Sequence, residues 1–183
     1  MPADIWFLSD LHLGHEKTCT EFKMPDGVTP LRPFANADEM NEAIISRWNA
    51  LVKPQDKAYL LGDIVITKRN LHLVGRLNGS KRLIRGNHDV FKTTEYLEYF
   101  KEVYGIRVMP EHRLALTHVP IHTSEVDRFG WNVHGHLHAK KVPHPRWPRL
   151  LNKTDPRYIN VCVEQTNFTP LHLDEVLAMR KAL

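Results

Sequence analysis

Short apolar runs that stop abruptly at polar clusters recur along the chain. Asp4–Leu8 runs into S-D-L-H-L-G-H, and Lys57–Leu61 runs into Gly62-Asp63. Lys81–Ile84 runs into R-G-N-H-D, Arg113–Leu116 into Thr117-His118, and Trp131–Val133 into H-G-H-L-H. Each run has the length and composition of a buried strand. Between them the apolar spacing turns helical. Asn36–Val52 carries Met40, Ile44, Trp48 and Leu51 on one face, with a capping box from Asn36 and Glu39 and a stop at Pro54. Asn70–Asn78 lines up Leu71, Val74 and Leu77 before Gly79, and Thr93–Val103 offers Tyr96, Leu97 and Phe100. The alternation of strand and helix over residues 4–90 predicts an α/β domain. Beyond residue 110 the pattern predicts shorter strands and loops, with strands at Tyr158–Val163 and Asn167–Leu173 and a last helix at Asp174–Lys181.

The length of 183 residues predicts one domain over 1–183, large enough to hold a site rigidly without disulfides. Cys19 and Cys162 form no metal-ribbon spacing and read as reduced thiols. No signal peptide or run of roughly 20 apolar residues is present, so the expected setting is soluble and cytoplasmic, with no membrane partner. The net charge of +4 suits an anionic substrate but is too small to establish nucleic-acid binding. The basic, proline-rich stretch 139–157 reads as a solvated loop or hairpin. Its single Trp147 before Tyr158 falls short of a stacking platform for a single strand.

The twelve histidines change the picture, because many fall in the polar clusters at strand ends. Residues just beyond the carboxyl ends of strands in an open α/β sheet converge on one crevice. Asp10 and His12 are two apart, as are His136 and His138, so on extended strands each pair points one way. Asp63, Asn87 and His118 each follow a different predicted strand. Any one of these histidines alone reads as a surface or core residue; together the seven residues read as a metal site. Their oxygen and nitrogen atoms are too many for one ion and suit two that share a carboxylate. Ligands without thiolate point to Mn, Fe, Zn, Co or Ni. Two such ions are suited to phosphoryl chemistry, which needs positioning and charge neutralisation.

D-L-H at Asp10–His12, G-D at Gly62-Asp63, G-N-H-D at Gly86–Asp89, T-H at Thr117-His118 and G-H-L-H at Gly135–His138 resemble, in order, the motif set of the calcineurin-like metallophosphoesterases. The ending N-V-C-V-E-Q-T-N-F-T-P-L resembles the closing strands of the small prokaryotic and phage members. The resemblance implies a four-layer α/β/β/α sandwich and two metal ions, manganese foremost. It implies hydrolysis of a phosphate ester, a phosphodiester in preference, by a hydroxide bridging the ions. It places Asp10, His12, Asp63 and His138 on the first ion, with Asp63 shared, and Asn87, His118 and His136 on the second. It puts His88 beside the scissile phosphate as a proton donor to the leaving oxygen, and Asp89 as a partner orienting an active-site imidazole.

Arg32 and Arg85 are candidate phosphate contacts through a guanidinium fork, and His15 a candidate pocket residue. One departure matters. Asp63 is followed by I-V-I-T-K-R where protein Ser/Thr phosphatases carry x-x-D-R-G, which argues against a protein-phosphatase identity. A nucleotide or small phosphodiester is the expected substrate. The alternatives are a phosphomonoesterase and, with less support, a non-catalytic metal-binding scaffold. The oligomeric state is not legible.

Overall fold

A computed structural model of the chain describes residues 3–144 and 153–180. It contains two sheets. In the first, β1 (Ile5–Leu8), β2 (Lys57–Leu60), β3 (Ser80–Ile84) and β4 (Glu102–Tyr104) run parallel in the spatial order β4-β3-β2-β1. In the second, β5 (Arg107–Met109) pairs antiparallel with β6 (Leu114–Leu116), while β6, β7 (Trp131–His134) and β8 (Tyr158–Asn160) are parallel. The short β9 (Leu171–His172) closes the free edge of β1 in antiparallel register.

Strand periodicity explains the layering. In β1, Phe7 faces the second sheet and Leu8 faces the helices. In β2 and just beyond it, Tyr59 and Leu61 take the first direction and Ala58 and Leu60 the second. Both faces of the first sheet are therefore apolar, as parallel sheets require. Its outer face packs on Met40, Ile44 and Trp48, all fully buried on α2 (Ala37–Leu51), as the helical spacing predicted. Its inner face meets Leu114, Leu116 and Val133 of the second sheet. The short α1 (Lys17–Thr20) and α3 (Thr93–Tyr96) lie before and after β2–β3 in the chain; α4 (Thr123–Phe129) packs on β6 and β7, and α5 (Leu173–Met179) on β1 and β9. Two parallel-rich sheets flanked by helices is the layered α/β class expected.

Several boundaries differ from the sequence reading for identifiable reasons. Asn36 Oδ1 accepts the Glu39 N–H at 2.9 Å, but the Glu39 carboxylate reaches the Ala35 N–H rather than closing the box on Asn36. The segment expected as a helix over Asn70–Asn78 is a 3₁₀ helix at Lys68–Arg76. Leu71, Val74 and Leu77 recur every third residue, the 3₁₀ period. The helix expected over Thr93–Val103 ends at Tyr96, because Val103 and Tyr104 pair with Leu83 and Ile84 as an edge strand. The strand expected at Tyr158–Val163 stops at Asn160. At Asn167–Leu173 only the last pair before the helix is strand, since Asn167 and Phe168 take left-handed backbone (φ 52° and 58°) and turn the chain. Of the basic stretch, residues 145–152, with Trp147, Arg146 and Arg149, lie outside the described residues. Its two arms meet at an antiparallel bridge between Pro143 and Thr154, in keeping with a hairpin.

Candidate metal centre

The strand ends of both sheets open onto one place. Asp10 follows β1, Asp63 β2, Asn87 β3, His118 β6, and His136 and His138 β7. Backbone hydrogen bonds continue past the strands and lock the loops together, from Asp10 N to Gly62 O, His12 N to Asp63 O, and Gly135 N to His118 O.

The loops are not extended. Asp10, His12, Asp63, His136 and His138 all have positive φ, between 48° and 69°. The period-2 argument for Asp10–His12 and His136–His138 is therefore replaced by left-handed turns, each costing about 1 kcal/mol for a residue with a Cβ. The outcome for Asp10 and His12 is still convergence. His136 and His138 instead diverge into different groups.

Two groups result, each with ligand atoms within 4.8 Å of one another: Asp10, His12 and His138, and Asp63, His118 and His136. Asp10 Oδ2 is taken up by the Ser9 hydroxyl (2.5 Å), the His136 N–H (2.8 Å) and the Cys162 thiol (3.1 Å). Its Oδ1 has no hydrogen-bond partner and lies 3.8 Å from His12 Nε2 and 3.7 Å from His138 Nε2. Asp63 is arranged alike. Its Oδ1 accepts the His88 N–H at 2.9 Å, leaving Oδ2 3.8 Å from His12 Nε2 and 3.4 Å from His118 Nε2. Asp63 Oδ2 thus stands between the two groups, the position a shared carboxylate needs. Asn87 Oδ1 joins the second group, 2.9 Å from His118 Nε2.

The glycines of the motifs are fixed by this crowding. A Cβ on Gly135 would lie 1.9 Å from Ser9 Oγ and 2.4 Å from Asp10 Oδ2. One on Gly86 would lie 2.3 Å from Asp63 Oδ1.

Electrostatically the site calls for cations. Burial works against ionising Asp10, yet the neighbouring imidazoles of His12, His138 and His118 hold it well below the ordinary carboxylate range. Burial also disfavours a charged His118, but the Asp63 hydrogen bond and the Asp10 and Asp63 charges outweigh it and raise its pKa to about 9. His138 is raised in the same way: burial opposes its charge, and Glu164 and Asp10 more than compensate. His12 is lowered, mainly by burial, which favours the neutral imidazole. The proton on His118 and the raised pKa of His138 thus offset the carboxylates where divalent ions fit. The unpartnered Asp10 Oδ1 and His12 Nε2 and the two carboxylates, four imidazoles and one amide suit borderline transition metals.

The remaining candidates divide. His88 sits at the open rim, its Nε2 4.0 Å from Asp63 Oδ2. His15 borders the first group, its ring 5.6 Å from that of His12. Arg32 is not available to a phosphate. It is fully buried and its guanidinium is consumed by Glu164 and by the carbonyls of Asp10 and Leu11. Arg85 is likewise committed, to the carbonyls of Asp89 and Phe91 and the hydroxyl of Thr93, and it braces the G-N-H-D loop. Asp89 does not orient an imidazole. Its carboxylate accepts the backbone N–H groups of Asp63, Ile64 and Gly86 and ties the G-D and G-N-H-D turns together.

Sequence reasoning missed Glu164. Its buried Oε1 accepts from Arg32 and, at 3.0 Å, from His138 Nδ1, which turns His138 Nε2 toward Asp10. Its one signal was a lone glutamate directly after the apolar run V-C-V. Cys162 and Ser9, both on Asp10, were also missed; both cysteines are free and buried, as expected of reduced thiols.

The profile of the calcineurin-like phosphoesterase family matches residues 3–166. An uncharacterized protein of Methanocaldococcus jannaschii is 31% identical over 182 residues, covering 96% of this chain and 90% of its own. The Gene 66 protein of Mycobacterium phage L5 is 28% identical over 175 residues, covering 76% and 80% respectively. A crystal structure of a protein of unknown function from Aquifex aeolicus superposes with a TM-score of 0.64 over the whole of both chains at 24% identity, which shows a shared fold. The chain belongs to the calcineurin-like phosphoesterases, in the small prokaryotic and phage type. It is a hydrolase of phosphate esters, and its two groups of histidine and aspartate are candidate metal sites for that reaction.

Proposed function

We propose that the chain is a dinuclear phosphodiesterase in which Asp10, His12 and His138 hold one ion, Asn87, His118 and His136 the other, and Asp63 both. The observation that carries this reading is Asp63 Oδ2, 3.8 Å from His12 on one side and 3.4 Å from His118 on the other. When bound, the ions supply Lewis-acid charge and lower the pKa of water. The residues do the rest. The neutral His12, and His118 and His138 once deprotonated, present nitrogen lone pairs. The Nδ1–H of His118 donates to the Leu61 carbonyl and that of His138 to Glu164, so the Nε2 atoms face inward. His88 is half-exposed and anchored through its backbone to Asp63; its imidazole donates a proton to the leaving oxygen.

Preference for a diester is supported by the open cleft beside His136 and His138, which leaves room for a second ester group. Manganese is the ion we favour for this mixed oxygen and nitrogen set. Both sheets feed one site, so we read residues 1–183 as one domain. No helix among the described residues is long and apolar enough to cross a membrane, and the two free thiols suit a reducing, cytoplasmic setting.

The test is hydrolysis of bis(p-nitrophenyl) phosphate and p-nitrophenyl phosphate by metal-stripped protein resupplied with Mn, Ni, Co, Zn or Mg. Turnover restored by metal and higher on the diester is expected. A clear preference for the monoester would replace diesterase with monoesterase. Silence on both in folded, metal-loaded protein would favour the scaffold.

A further inference from the structure

A cleft of about 700 Å³ leads away from His136 and His138. That is far more space than a phosphate fills and is within the range of small-molecule sites. One wall is the loop after α1, with Phe22 and Met24; the facing wall is the segment from Leu137 to Lys140. Both walls are built. Across the loop, the Met24 N–H donates to Thr29 O and the Leu31 N–H to Phe22 O, and Asp26 caps its tip through Val28 and Thr29. On the other side the Lys140 N–H donates to Leu137 O, and Lys140 O accepts from Asn160 at 2.9 Å.

The cleft is chemically two-sided. Phe22 is an aromatic side chain left 43% exposed at its edge. Its ring meets that of His15 edge to face at 5.7 Å, and His15 meets His12 at 5.6 Å, so the apolar wall is continuous with the metal centre. Lys23 and Lys140 add positive charge, one from each wall. Among the described residues neither has an acidic partner, and the nearby Glu21 is already paired with Lys17 at 3.1 Å. An apolar ring-sized wall flanked by two uncompensated cations is complementary to a planar, anionic body.

We propose that this cleft holds the organic part of the ester and that the substrate is a nucleoside phosphate, its base against Phe22 and Met24 and a second phosphate between Lys23 and Lys140. The inference rests on the phosphoesterase reading for where the scissile phosphate lies. The base gains by stacking, whatever its identity, and the second phosphate gains by charge, which salt screens.

The test is calorimetric titration of manganese-loaded protein with inorganic phosphate, adenosine 5′-monophosphate, adenosine 3′,5′-bisphosphate and decyl phosphate. Affinity is expected to rise about tenfold from phosphate to the monophosphate, and severalfold again to the bisphosphate. Phe22→Ala should remove most of the first step. Lys23→Ala with Lys140→Ala should remove the second, together with its salt dependence. Manganese content, read by elemental analysis, should stay unchanged in both variants, which shows that the metal centre is intact. Nucleotides binding no better than phosphate, decyl phosphate binding better than either nucleotide, or variants that keep the full advantage would each overturn the proposal. Tight nucleotide binding without hydrolysis of any ester would support the cleft and overturn the hydrolase reading alone. Hydrolysis of bis(p-nitrophenyl) phosphate without a nucleotide advantage would do the reverse.

Discussion

Asp10 and His12 are buried and His138 partly so, and behind them stand Ser9, Cys162, Glu164 and the buried guanidinium of Arg32. Asp63, His118 and His136 are of the same chemistry but lie beside Asn87 and His88, whose side chains face solvent. In the first group Asp10 Oδ2 is held by the Ser9 hydroxyl, the His136 N–H and the Cys162 thiol, and His138 Nδ1 by Glu164. In the second the supports are largely backbone, through Leu61 O and the Asp89 carboxylate that gathers three N–H groups. One half of the centre is held by a side-chain scaffold and closed. The other is held by its turns and is bordered by the exposed Asn87 and His88.

The strongest way to break this comparison is to remove what the halves share. Asp63→Asn should lower turnover of bis(p-nitrophenyl) phosphate by roughly a thousandfold, and elemental analysis should find metal lost from both halves. A fully loaded, active variant would mean that Asp63 bridges nothing.

Glu164→Gln acts on the closed half alone. Losing the carboxylate that orients His138 should weaken one of two metal-binding steps by about 10- to 100-fold, while Asn87→Ala should weaken the other. Titration of metal-free protein with manganese separates them, and equal weakening of both steps by either variant would erase the distinction.

Gly135→Ala tests how tightly the closed half is packed. Its Cβ would strike Ser9 Oγ and Asp10 Oδ2, so a loss of about 2 kcal/mol is expected, or about 4–8 °C in Tm for a chain of this size. Gly27→Ala is the comparison. That glycine, unlike Gly135, has positive φ, 72°, and its Cβ would meet nothing within 4 Å, so only the backbone penalty of about 1 kcal/mol applies.

The smallest effect is on pH dependence. Without metal, the folded pKa of His118 is raised from 6.5 to about 9. A raised folded pKa contributes stability that is complete below the unfolded value and is lost as pH climbs through the folded one. The Tm of metal-free protein should therefore fall between about pH 6.5 and 9, whereas metal-loaded protein, with no proton on His118, should not show that fall. Calorimetry in buffers of different ionisation heat should find at least about one proton released on loading near pH 7.5. No release would place His118 outside the metal site.

The sequence alone carried the order of the motifs, the ends of apolar runs at which they fall, and hence the whole candidate ligand set and the α/β class. Those signals are local: a strand that ends in a polar cluster can be read from a few residues. It also carried the burial of Trp48 and the helix at Asn36–Val52, since a 3.6-residue apolar stripe over four turns has few other readings. The helical spacing of Tyr96, Leu97 and Phe100 misled at the third helix, because Val103 and Tyr104 pair with β3, in keeping with their β-character.

Only the tertiary structure decided which oxygen of each carboxylate is free and that five of the seven candidate ligands sit on left-handed turns. It also decided that Arg32 is buried structure rather than a substrate contact, and that Glu164 holds His138. Arg32 and Glu164 are 132 residues apart, and Cys162 lies 152 from Asp10. The charge of a buried guanidinium or carboxylate is tolerable only where a partner of opposite sign meets it in the interior. That partner is chosen by how two sheets pack face to face, so no window of neighbouring residues contains it.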